Sequence, residues 1–308
     1  MSIENGVVST SLTWTPSTNT SHAKSSGSGI TLCYTIFAHR TRPNLGVVRL
    51  DVSGLSDTSK VTVTDVLDGA GAWRTNAVGS GLLPNATNTI YSAVQPNGIS
   101  NVTAYEISQL SFVSPSSGKA TNSTGCFSGV SQNASTASLC YTVKPSKSAF
   151  SVVKYVGIAS SDAFKGFEMK TALKATTDAL SDGYDSLLTE HTAAWDALWT
   201  ESDIIIPGDS NEMQELQLVT RASLFHLLSN VREGSEPTGL GDNSIAPAGL
   251  TSDSYAGQIF WDAVSASLYD VIVLVLTVIL GYMVNTAQQS YLLYVRLMLG
   301  SLGCSHLS

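Results

Sequence analysis

The chain has 308 residues (32.4 kDa), with 16 Lys+Arg against 24 Asp+Glu, a formal net charge of −8 and a pI near 5.0. Charged residues are 13% and hydrophobic residues 43%, which excludes charge-driven disorder and argues against a nucleic-acid binder, since that needs a basic footprint. Collagen-like and coiled-coil compositions are excluded as well, and the length allows about two domains with ample core.

Residues 1–168 read as all-β. Runs rich in β-branched and aromatic residues cover Gly6–Trp14, Ile30–His39, Gly46–Val52, Lys60–Leu67, Thr89–Ser92, Val102–Val113, Ser138–Val143 and Phe150–Ile158, separated by Gly, Pro, Asn and Ser clusters. The run Val61-Thr62-Val63-Thr64-Asp65-Val66 alternates as a strand with one wet face does. Many strands without intervening helices imply a sandwich of antiparallel sheets.

Four cysteines (Cys33, Cys126, Cys140, Cys304) are too few for a disulfide-dense scaffold, and none has zinc-ligand spacing. Cys126 and Cys140 bracket a Ser/Asn/Gly-rich loop, consistent either with a disulfide or with two buried thiols. The sequon N-x-[ST] occurs at Asn19, Asn85, Asn101, Asn122 and Asn133, all within the first 150 residues. That segment has ten Asn and about 30% Ser+Thr, so chance gives roughly three sequons and the enrichment is mild. Residues 1–30 carry no signal-peptide pattern, so the expectation is a chain that is not exported or whose true N-terminus lies elsewhere.

Near Phe167 the period changes. Ala172, Leu173, Leu180, Tyr184, Leu187, Leu188, Ala194, Trp195, Leu198 and Trp199 recur at three- and four-residue steps, one face of a long helix that Asp182-Gly183 could interrupt. Asp203–Gly208 then reads as a short strand ended by a turn. Asp209 or Ser210 is positioned to cap a second helix, Asn211–Arg232, with an apolar stripe of Met213, Leu216, Val219, Ala222, Phe225 and Leu228. His226 in that helix reads as a packing histidine rather than a base. Asp203, Asp209, Glu212, Glu215, Glu233 and Glu236 read as a solvated face, caps and loops rather than a paired acid/base site. Val271–Val284 is fourteen residues without a charge, short of the roughly 20 that a membrane span needs; a buried helix or strand, an unnatural tail and a membrane anchor all remain open, the anchor not favoured.

Several of these blocks resemble fungal acid trehalases of glycoside hydrolase family 65. They are Glu4–Thr10 (ENGVVST), Tyr34–Thr41 (YTIFAHRT), Asn44–Leu50 (NLGVVRL), Val66–Ala72 (VLDGAGA), Trp195 with Trp199, and Arg221–Leu228 (RASLFHLL). The most specific is the run Ile245–Asp262, with Pro247, Gly249-Leu250, Tyr255, Gly257 and Phe260-Trp261-Asp262. The resemblance covers about residues 3–263 and its blocks stand in family order.

The resemblance implies a mainly β-sandwich fold (1–168), incomplete at its N-terminus, then a helical linker (169–200) and the beginning of an (α/α)6 catalytic barrel (201–263). It implies hydrolysis of α,α-trehalose to two glucose molecules with inversion, no cofactor, no metal, and a cell-wall, extracellular or vacuolar location. Phosphorylase relatives use phosphate in place of water, so fold alone does not fix the reaction. Trp261 and Asp262 match the family's Phe-Trp-Asp motif, in which an indole covers a sugar's C–H face and a carboxylate accepts hydroxyl hydrogen bonds. Tyr255 and Gly257 shape the loop that carries them. The family's catalytic acid and base lie beyond the matching region, so the chain is expected to be inactive alone. Residues 264–308 depart from the family pattern at Val264-Ser265, a dipeptide that a 5′ splice consensus encodes, and are expected to be translated intron or misjoined sequence. The rival expectation is a non-catalytic carbohydrate-binding or cell-surface β-sandwich tethered through 271–284.

Overall fold

A computed structural model of the chain describes residues 2–15, 29–55, 61–68, 74–113, 118–121, 134–143 and 148–229. The chain divides into two compact units, the division among these residues falling between Glu201 and Ser202.

The first unit is an antiparallel sandwich. Its larger sheet has seven strands in the order β1 (Val8–Trp14), β2 (Ile30–Ala38), β3 (Leu45–Ser53), β10 (Ala149–Ser160), β7 (Ala104–Val113), β6 (Thr89–Pro96) and β5 (Thr75–Leu82). The smaller sheet is β4 (Val61–Leu67), β9 (Ala137–Val143) and β8 (Gly118–Thr121). Central strand β10 explains its own sequence. Phe150 and Val152 pack toward the small sheet with Val52 and Val143, while Val153 and Tyr155 point the other way, to Phe37, Val47 and Leu187. A strand buried on both faces reads as a continuous apolar run rather than an alternating one.

Polar groups pin the two sheets together. Asp65 on β4 is buried, receives the Ser108 hydroxyl of β7 (2.8 Å) and pairs with the Lys154 ammonium of β10 (2.9 Å), which also donates to the Val66 carbonyl (2.6 Å). Glu106 lies in the same field, and burial pushes its carboxyl up.

The strands predicted within residues 1–168 are all present to within a few residues. Two more occur that the sequence pattern did not mark: β5 and β8. β5 (TNAVGSGL) is an edge strand with no fully buried residue and a register shift between Ala77 and Gly79, so burial placed little apolar demand on its sequence.

After β10 come a single turn, α1 (Ser161–Phe164), then α2 (Glu168–Asp182) and α3 (Tyr184–Ser202). The expected helical run is two helices, broken at Asp182-Gly183, where the sequence allowed an interruption. Gly183 sits at φ 79° with its N–H on the Ala179 carbonyl, a left-handed position that closes α2. α2 lies across β10 and β7, and Gly157 permits the approach. A Cβ there would stand 2.9 Å from the Ala172 carbonyl carbon, with the oxygen closer still. The buried helix face also differs in part from the expected stripe: Thr176, Ala179 and His191 are buried, whereas Leu180 is exposed.

In the second unit the described residues form one helix, α4 (Asn211–Ser229), preceded by an extended segment. Ser210 is the cap, its Oγ accepting the Met213 N–H (3.3 Å). Residues 203–208 are not a strand as expected. The Gln217 side-chain amide takes the place of a neighbouring strand, accepting from Ile206 N–H (2.7 Å) and donating to the Ile204 carbonyl (2.8 Å). Asp203 is not on a solvated face; it holds Arg221 through two hydrogen bonds (3.1 and 2.5 Å). Within the expected apolar stripe Met213 is buried but Val219 is exposed, because Gln217, Thr220 and Arg221 take up part of the inward face. His226 is exposed, edge-on to Phe225, and not a packing histidine.

Candidate functional site

The residues expected to bind substrate, Tyr255, Trp261 and Asp262, lie outside the described residues, as do Gly257 and the run 271–284. Among the described residues no helix is long and apolar enough to cross a membrane, and no group of three acidic, His or Cys side chains could hold a metal. Asn85 and Asn101 are exposed on the turns at the two ends of β6, Asn85 at φ 64°; Asn19, Asn122 and Asn133 fall outside. Cys140 is buried and disulfide-bonded, Cys33 is a free thiol, and Cys126 lies outside the described residues.

The sequence blocks Glu4–Thr10, Tyr34–Thr41 and Trp195/Trp199 converge on one place: the junction where α3 meets the end of β2 and the N-terminal segment. Residues 2–7 form a small closed turn, with Ser2 and Val7 exchanging main-chain hydrogen bonds (2.8 and 3.2 Å). Trp199 Nε1–H donates to the Glu4 carbonyl (2.8 Å). Gly6, at φ 60°, lies against the Trp195 indole, and a Cβ there would be 2.7 Å from Cε2. Glycine is thus required at position 6 both by its backbone angle and by the ring.

Two buried imidazoles sit beneath this turn, ring centroids 5.7 Å apart. His39 at the end of β2 donates from Nε2 to the Leu187 carbonyl of α3 (3.1 Å), with Thr41 Oγ1 3.4 Å from Nδ1. His191 of α3 accepts the Arg40 main-chain N–H at Nδ1 (3.0 Å), which places its proton on Nε2, facing the Gly6 carbonyl (3.4 Å). Burial pushes the pKa of His39 down to about 4, against an opposing pull from the Glu190 carboxylate; burial lowers that of His191 as well.

A surface ion network closes the outer side. Arg42 engages Glu190 through Nε and Nη2 (3.1 and 2.5 Å) and Asp182 through Nη1 (2.6 Å). These guanidinium hydrogen bonds hold the Glu190 carboxyl down at about 2 and raise the Arg42 pKa above its ordinary value. Sequence reasoning singled out the blocks but missed His191. Its only signal was its position one turn after Leu187 and one turn before Trp195 on the helix face.

Beside the network lies an open cleft of about 230 Å³, lined by Arg42, Pro43, Asn44 and Leu45 on one side and by Thr171, Lys174, Ala175 and Asp178 of α2 on the other. Its one carboxylate, Asp178, is already paired with Lys174. Inverting hydrolysis needs an acid and a base roughly 6.5–9.5 Å apart across a sugar, and this cleft does not supply them.

Residues 1–198 match the glycosyl hydrolase family 65 N-terminal domain. The cell wall acid trehalase of Arthroderma benhamiae is 31% identical over 277 residues, covering 85% of this chain and 25% of the relative. The cell wall acid trehalase of Candida albicans is 33% identical over 270 residues, covering 85% and 22%. The chain thus spans about a quarter or less of the length of the curated relatives it matches. A solved structure described as a kojibiose phosphorylase from the human microbiome shares the fold, with a TM-score of 0.61 and 18% identity over 86% of this chain and 32% of that one. The sandwich, its helical continuation and the match over residues 1–198 together place the chain in glycosyl hydrolase family 65.

Proposed function

We propose that this chain is the sandwich, linker and first barrel segment of an acid-trehalase-type enzyme that hydrolyses α,α-trehalose to two glucose molecules with inversion. The observation that carries the reading is the breadth of the trehalase similarity: 31–33% identity across 84–85% of the chain, in three fungal acid trehalases. A kojibiose phosphorylase from Caldanaerobacter subterraneus matches at 38% but over only 28% of the chain. In this reading α4 is the first barrel helix, and Trp261, Asp262 and Tyr255 hold the non-reducing glucose. Water attacks the anomeric carbon as base-assisted nucleophile while an acid protonates the leaving glucose oxygen, and neither carboxyl is assigned to a residue here. The sandwich and α2–α3 act as scaffold, in a protein of the cell wall or extracellular space as its relatives are named.

Product analysis tests this. Purified chain incubated with trehalose, with and without phosphate, is expected to release neither glucose nor glucose phosphate. Release of glucose phosphate would overturn the trehalase reading in favour of a phosphorylase. Release of glucose would overturn the claim that the acid and base lie elsewhere.

A further inference from the structure

The junction beneath residues 2–7 contains one ring, His191, whose hydrogen bonds permit only one protonation state. His191 accepts a main-chain N–H at Nδ1 and points its Nε2–H at a main-chain carbonyl. A second proton would have to sit on Nδ1, where it would meet the Arg40 N–H head-on; the bond cannot survive it. Burial opposes a positive charge on His191 most strongly; the Gly6 and Asn5 carbonyls, which face Nε2–H, favour it. Arg40, whose guanidinium lies 5.3 Å over the Trp195 ring, opposes it, and Phe37 covers one side with its ring centroid at 4.7 Å. The nearby carboxylate, Glu190, is bound by the Arg42 guanidinium and by the Thr41 hydroxyl, and it faces His39 rather than His191. Asp182 of α2 is likewise taken by Arg42.

His39 is differently placed. A proton arriving on its Nδ1 meets Thr41 Oγ1, which in turn donates to Glu190 (2.7 Å), so the positive ring has an accepting chain ending in a carboxylate. His39 can be charged without breaking its bond to Leu187; His191 cannot be charged without losing its bond to Arg40.

We propose that His191 is a proton-operated clasp that holds the β2–β3 loop to α3 at Arg40 while its ring is neutral, and releases Arg40 when Nδ1 is protonated, while Nε2–H keeps hold of the turn of residues 2–7. The depressed basicity of both rings is in keeping with a closed clasp at neutral pH that opens in acid. Release would free the attachment of Arg40 to His191 and leave those of Gly6 to His191 and of Glu4 to Trp199 in place.

Amide hydrogen exchange on the 308-residue chain, followed from pH 7 to pH 4 and corrected for the intrinsic pH dependence of exchange, tests this. Protection of Arg40 is expected to fall by at least tenfold, while that of residues 2–7 and of β10 (149–160) holds. His191→Asn keeps an acceptor near Nδ1 but cannot titrate, and is expected to show protection at Arg40 independent of pH. Where that variant does not fold, the ring C–H resonances of the native chain serve, and the His191 signal must shift in the same pH range as the exchange. Protection of Arg40 that stays constant with pH, or that is lost only together with β10, overturns the proposal.

Discussion

Replacing Gly157 by Ala adds one methyl group at the closest approach of helix to sheet. In the native chain β10 has no side chain at this point, and Ala172 and Thr176 of α2, both fully buried, settle into the space. The new Cβ would lie 2.9 Å from the Ala172 carbonyl carbon and 3.2 Å from Thr176 Cγ2. The first neighbour is backbone and cannot rotate away, so α2 must lift from β10 or the strand must bend. Overpacking a filled interior costs about 1–3 kcal/mol, and a clash with rigid backbone belongs at the upper end. For a unit of this size, about 3 kcal/mol lowers Tm by roughly 6–12 °C. Gly46→Ala is the control. Gly46 lies opposite Val156 on the neighbouring strand, and its nearest atoms are at 3.9 and 4.0 Å, ordinary van der Waals contact. It should change stability by less than about 1 kcal/mol in either direction. Calorimetry or thermal circular dichroism on both variants checks the pair. Equal Tm values for the two would refute the claim that α2 is seated against the β10 backbone.

Other outcomes follow from the same contacts. Lys154→Met leaves Asp65, whose side chain is fully buried, without its cation, and is expected to cost about 3–5 kcal/mol in denaturant unfolding. His39, depressed from 6.5 to about 4, contributes stability that is complete above pH 6.5 and is lost as pH falls through about 4, because the unfolded chain binds the proton first. This amounts to about 3 kcal/mol across the window, and His39→Gln is expected to flatten the pH–stability curve there. Glu190 acts in a lower window: with its carboxyl held down to about 2 chiefly by Arg42, its contribution is complete above pH 4.5 and fades toward pH 2, and Glu190→Gln should remove that acid-side slope. Asn85 and Asn101 are exposed on turns, so each Asn→Gln change is expected to remove one glycan, seen by intact mass, from chain secreted by a fungal host.

Much of the fold was legible because burial imposes periodicity. Val61–Leu67 alternates since one face packs inward, and β10 does not alternate since both faces do. β5 escaped notice for the converse reason: an edge strand with no fully buried residue can consist of Asn, Gly and Ser. The extended segment 203–208 has the composition of a strand, yet a glutamine side chain meets its main-chain groups, and no periodicity rule foresees that. His191 was hidden in the same way, since its importance comes from Arg40 and Gly6, 151 and 185 residues away in sequence. The assignment of Tyr255, Trp261 and Asp262 to substrate is a proposal that comes only from resemblance, because an aromatic–acid pair carries no periodic signature of a sugar site.

The central claim is that this chain carries the sandwich and linker of a trehalase. Grafting residues 1–198 in place of the corresponding segment of the Candida albicans cell wall acid trehalase, and following the products by polarimetry, tests it most directly. The account predicts a folded chimera that converts trehalose to glucose with inversion and needs no phosphate. A folded chimera that leaves trehalose uncleaved, or cleaves it only with phosphate, would contradict it.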